Sequence, residues 1–84
     1  MDRKRLLRRF SQGAFGNVAF SDMVELVEGF GFSLARVSGS HHIFVHPDIP
    51  EMINLQSVAG EAKPYQIRQF LRLVERYNLK LEGG

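Results

Sequence analysis

Apolar positions along this 84-residue chain change their spacing several times, and each change marks a predicted element. Leu6, Leu7 and Phe10 fall at helical spacing, which predicts a short helix over residues 3–10 lying on an apolar surface. The uncharged, glycine-containing stretch SQGAFGNVAF then reads as a connector. Met23, Leu26, Val27 and Phe30 recur at i, i+3, i+4 and i+7, the buried stripe of an amphipathic helix. Ser21 or Asp22 is placed to cap this helix, with Glu25 completing a capping box from Asp22, and Gly29 and Gly31 end it.

The period then drops to two. FSLARV predicts a strand, SG a tight turn, and HHIFVH its antiparallel partner. PDIPE breaks the chain and MINLQSV predicts a third strand. Pro64 suits the first turn of a last helix, where its missing N–H costs nothing, and Ile67, Phe70, Leu71, Val74 and Tyr77 form that helix's apolar stripe. Both main stripes read as core rather than as a cofactor box. The order helix, three-stranded meander, helix predicts a two-layer α+β domain with its helices on one sheet face. Residues 1–20 would form a basic helical arm and connector, and residues 21–84 the domain proper. Because the main stripes lie outside the arm, the domain is expected to fold without residues 1–10.

Composition narrows the class. A chain this short holds one core. No cysteine means no disulfide framework and no thiolate metal site. The basic start lacks the apolar run of a signal peptide, and no segment is long enough to span a membrane, so a cytoplasmic address is expected. The net charge of +2 is unevenly spread: residues 1–10 hold Arg3, Lys4, Arg5, Arg8 and Arg9 against Asp2 alone. Such an arm suits phosphates or an acidic partner, or is simply a solvated helix face. Arg68, Arg72 and Arg76 repeat every four residues, a like-charge spacing that favours an anion across it, with a solvated face as the equal alternative.

All three histidines fall within VSGSHHIFVHPD, residues 37–48. Metal binding, catalysis and plain structural placement are the candidates. Neighbouring side chains on a strand point to opposite faces, which separates His41 from His42. His42 and His46 share a face but stand roughly 13 Å apart at about 3.3 Å per residue, whereas zinc needs each nitrogen within about 2.1 Å. No metal is therefore expected. His46, before Pro47, looks like a strand-end residue without a special task, and His42, on the side of Phe44, is divided between packing and substrate contact. His41 follows Gly39 and Ser40 directly and sits on the side of Ile43 and Val45, at the expected rim of the apolar face. An imidazole there can take or give a proton near neutral pH, although periodicity alone leaves a structural role open.

GSHHIFVHP, followed by a third strand and the Pro-initiated helix KPYQIRQFLRLV, resembles the HicA (YcfA-like) toxin family of type II toxin–antitoxin systems. The resemblance covers about residues 21–78. It implies a double-stranded-RNA-binding-like α-β-β-β-α fold, metal-independent endoribonuclease activity on mRNA without a cofactor, and inhibition by a HicB-type antitoxin. It also places the family's catalytic histidine on His41. This chain departs from the family in its twenty or so extra leading residues, and in reading NLQSVAG where many members carry a P-x-H ending. The chemistry is compatible: RNA brings its own 2′-OH nucleophile, so cleavage needs proton transfer and charge stabilisation. Gly39 would let the backbone approach a phosphate, Ser40 offers a hydroxyl, and Arg36, His42 and Lys63 are the other candidate substrate contacts. A non-catalytic RNA-binding module, and an interaction protein docking through its basic arm, are the rival readings.

Overall fold

The computed structural model describes residues 2–82, and these form three helices and four strands. In chain order they are α1 (Arg3–Ser11), α2 (Phe20–Gly29), β1 (Ser33–Ser38), β2 (His41–Val45), β3 (Ile53–Val58), β4 (Glu61–Ala62) and α3 (Pro64–Arg76). The strands make one antiparallel sheet in the order β1-β2-β3-β4, an α+β arrangement with the predicted helix–meander–helix at its centre. The fourth strand was not expected. It is two residues long, and it forms because Ala59 and Gly60 both take positive φ (52° and 78°), the backbone of a tight hairpin loop.

One sheet face is buried and the other is open. Phe44 of β2 and Ile53 and Leu55 of β3 point into a core shared with Met23, Leu26 and Val27 of α2 and Ile67 and Phe70 of α3. Phe70 packs edge-on against both Phe30 and Phe32, with ring centroids 5.4 and 5.9 Å apart. Each apolar stripe read from the sequence thus faces this one interior. Strand β1 lies beyond the helical layer, which leaves Leu34 and Val37 about half exposed although they pair with Phe44 and His42.

Helix α1 packs into the domain through its apolar side. Leu6 and Phe10 are at most 3% exposed and belong to the same core, so the apolar contacts of the domain extend into residues 1–10 and not only along α2 and α3. Arg3 donates from Nε to the carbonyl of Glu25 at 2.8 Å, and Phe10 meets Phe15 of the connector at 5.7 Å. A radius of gyration of 11.7 Å matches the roughly 12 Å expected of a fully compacted chain of this length. The basic side chains of α1 therefore ride on a helix pinned by its apolar side.

The start of α2 also differs from expectation. Its N-cap is Ala19, not Ser21 or Asp22, and no side chain caps it. Tertiary hydrogen bonds hold the chain here instead: Phe20 N–H donates to Gly60 O and Ala62 N–H to Val18 O, both at 2.9 Å. Asp22 falls in the first turn, where a carboxylate favours the positive end of the helix dipole. All three helices end alike. Gly13, Gly31 and Asn78 take positive φ one residue past the C-cap, and paired reverse hydrogen bonds close the turns (Ala14 to Arg9, Phe32 to Val27, Leu79 to Val74).

Leu6→Ala should lower unfolding free energy by about 2–5 kcal/mol, the range for emptying a fully buried leucine site. Urea denaturation checks this, and a change within about 0.5 kcal/mol would show that α1 contributes little to the core.

Candidate active site on the open face of the sheet

The β1–β2 hairpin sets the site. Ser38 pairs with His41, so the two-residue loop is Gly39-Ser40 rather than Ser38-Gly39. Gly39 takes φ +61°, which a side chain would resist, and nothing lies within 4 Å of where its Cβ would be. The loop therefore leaves open space beside Gly39 at the start of β2. A bulge between Leu34 and Arg36 then brings Arg36 opposite Ile43.

Residues paired across an antiparallel ladder share a face. Because Phe44 is buried, His42 also points to the helical side, while His41, Ile43 and Val45 point away from it. His41 thus lies on the open face, not at the rim of the apolar one. Pairing puts Arg36, Ser38, Asn54 and Gln56 on that same face. The half-buried His41 ring places Nδ1 3.1 Å from Oδ1 of Asn54, one diagonal step along β3. Ser40 is held from below: Gln56 donates from Nε2 to its hydroxyl at 3.3 Å, and Ser57 N–H donates to its carbonyl at 3.1 Å.

A buried glutamine supports this arrangement. Gln66 of α3 is 3% exposed and accepts the Gln56 backbone N–H at 2.8 Å. That N–H faces the edge of β3 where β4 has already turned away toward α3, so the side chain replaces a missing ladder partner. Neither Asn54 nor Gln66 was singled out from the sequence.

The other two histidines are engaged elsewhere. The His42 ring packs on Phe20 with centroids 4.8 Å apart and its Nδ1 lies 3.2 Å from the Ser40 carbonyl. His46 lies past the end of β2 and has a structural task. The Asp48 N–H donates to its Nδ1 at 3.1 Å, so Nε2 carries the hydrogen and donates to the Phe30 carbonyl, also at 3.1 Å. Its ring meets Phe32 edge-on, and a Cβ on Gly31 would come within 2.8 Å of Nε2. Among the described residues, no three histidine, aspartate or glutamate side chains are placed to hold a metal ion.

The remaining candidates divide. Arg36 shares the open face with His41, whereas Lys63 is the N-cap of α3 and its ammonium sits 5.8 Å from the Tyr65 ring centroid. The arginine ridge of α3 is partly engaged within the protein: Arg68 lies over the Phe15 ring at 5.2 Å and Arg76 pairs with Glu51 at 3.3 Å. A groove of about 240 Å³ runs between Met52 and the Arg72 and Leu73 side of α3, and none of the histidines lines it. At its end the Tyr77 hydroxyl donates to the Glu51 carboxylate at 2.6 Å. That hydrogen bond, then desolvation, then the carboxylate's charge raise the Tyr77 pKa above 10.0, with Arg76 opposing.

A two-layer domain with helices over one face of an antiparallel sheet, in this order, has the double-stranded-RNA-binding-like architecture. Residues 20–75, well over half of the chain, match the model of the family described as the HicA toxin of bacterial toxin–antitoxin systems. The chain belongs to the HicA toxin family, a family of toxins that work with an antitoxin. The match runs from the start of α2 to the last turn of α3 and leaves α1 outside it. No curated protein and no solved structure matches the chain. No helix among the described residues is long and apolar enough to cross a membrane.

Two outcomes test this geometry. His46→Ala should lower stability by about 1–3 kcal/mol in urea unfolding, since it leaves the buried Phe30 carbonyl unpaired. A raised Tyr77 pKa means the folded state keeps a proton that the unfolded state loses once pH passes 10.0, so its stabilisation is full below that pH and is lost above it. Tyr77→Phe should therefore make the alkaline fall in stability shallower, and an identical slope in both proteins would contradict the Tyr77–Glu51 bond.

Proposed function

We propose that this protein is an mRNA-cleaving endoribonuclease, with His41 as its proton-transfer group and a HicB-type antitoxin as its inhibitor. It works in the cytoplasm, without metal or cofactor. One observation carries the reading: of the three imidazoles, only His41 stands on the open sheet face among polar side chains, and it is the residue onto which the resemblance of GSHHIFVHP carries the family's catalytic histidine. His42 and His46 are spent on Phe20 and on the turn after α2. That leaves His42 and Lys63 as weaker substrate contacts than Arg36, Gly39 and Ser40.

The reaction follows from what RNA brings. The ribose 2′-OH attacks the adjacent phosphorus, its proton passes to the Nε2 lone pair of His41, and the bond to the 5′-oxygen breaks as that oxygen takes a proton from water. The products are a 2′,3′-cyclic phosphate and a 5′-hydroxyl. Charge builds on the non-bridging oxygens, and the groups proposed to meet it are Arg36, which shares the open face with His41, and the Gly39-Ser40 loop.

His41→Ala should cut the cleavage rate by about 10² to 10⁴ and relieve growth inhibition in a bacterium, with thermal unfolding and RNA affinity nearly unchanged. Cleavage should persist in chelator. A His41→Ala protein that folds and cleaves at the wild-type rate would refute the assignment; RNA binding without cleavage by the wild type would favour the non-catalytic RNA-binding module.

A further inference from the structure

We infer that Asn54 is a positioning residue that fixes the tautomer of His41, holding the ring hydrogen on Nδ1 so that Nε2 faces the open surface as a free base. The inference deepens the reading of His41 given above and rests on it for its kinetic half.

Oδ1 of Asn54 lies 3.1 Å from Nδ1 of His41. A carboxamide oxygen carries lone pairs and no hydrogen, so in the amide orientation seen here the pair attract only when Nδ1 bears the hydrogen. In a neutral imidazole the lone pair then resides on Nε2. Among the described residues Nε2 of His41 has no partner, which leaves it open to a substrate proton. The choice of nitrogen matters, because the opposite tautomer offers a hydrogen where the reaction wants a base.

The backbone makes the contact durable. Ile53 and Leu55, on either side of Asn54, are both buried, so strand alternation commits Asn54 to the open face. The register sets Gln56 opposite His41 and Asn54 one diagonal step away, within reach of a carboxamide. Gln56 turns its amide nitrogen to the Ser40 hydroxyl, and the contact made by the His41 ring is with Asn54. His46 supplies a contrast within the same molecule: its Nδ1 accepts a backbone N–H, so its hydrogen sits on Nε2. Two histidines five residues apart are thus held in opposite tautomers by their surroundings.

The test reads the rings and the reaction separately. Two-bond ¹⁵N–¹H correlation spectra of the full chain, taken where the imidazoles are neutral, should show His41 protonated at Nδ1 and His46 at Nε2. Asn54→Leu should move His41 toward Nε2 protonation and leave His46 unchanged. With an RNA substrate, Asn54→Leu should lower kcat about tenfold, the scale of one lost hydrogen bond, with KM nearly constant. Asn54→Asp, which keeps the acceptor, should retain both the Nδ1 hydrogen and most of kcat. His41 protonated at Nε2 in the wild type, an unmoved His41 signal in Asn54→Leu, or a moved signal with unchanged kcat would each overturn the inference. Wild-type protein with the expected spectrum but no cleavage would instead remove the proposed reaction, leaving the tautomer assignment standing.

Discussion

The parity of β2 is the constraint on which the site depends. Phe44 is locked in the core at 1% exposure, and a strand alternates its side chains. Every other position in β2 follows: His42 turns to the helical layer and His41 to the open face. A one-residue slip would exchange the two histidines and put the large ring of Phe44 in water. The hairpin loop Gly39-Ser40 and the bulge at Leu34–Arg36 fix that register from one side, and pairing with β3 fixes it from the other. Packing thus decides which imidazole meets solvent.

The rest of the fold keeps that sheet in place. Helices α2 and α3 cover its buried face, and α1 closes the bundle with Leu6 and Phe10. Such a small domain buries a modest share of its surface, so one more helix of apolar contacts counts for much. The segment at Val18 to Phe20 bonds along β4, tying the start of α2 to the edge opposite β1. Gln66 then closes the polar gap where β4 leaves β3. Polar groups on the helical side thus stabilise the sheet, and those on the open face surround His41.

Local pattern carried much of this into view. The stripes of α2 and α3, the period-two strands, the glycine ends and Pro64 are all short-range signals, and each element lies within a few residues of its expected place. What the pattern missed is non-local. Ala19 as the N-cap depends on a partner at Gly60, some forty residues away, and the buried side of α1 depends on α2. The face of His41 depended on knowing that Phe44, and not Ile43, is the inward residue. Asn54 and Gln66 have no local signature, since a cross-strand partner is visible only once register is known. The turn at Ala59-Gly60 was hidden because alanine resists the positive φ it adopts there.

The family supplies a toxin, and the sheet supplies an imidazole on its open face among polar side chains. The reaction proposed for them is cleavage by the RNA's own 2′-OH. The ends of the cut RNA report this most directly. Mass spectrometry of a short oligoribonucleotide after incubation with the protein should find a 2′,3′-cyclic phosphate (or the 3′-phosphate it hydrolyses to) on one fragment and a 5′-hydroxyl on the other. A 3′-hydroxyl and a 5′-phosphate would mean that water is the nucleophile, and would contradict the account.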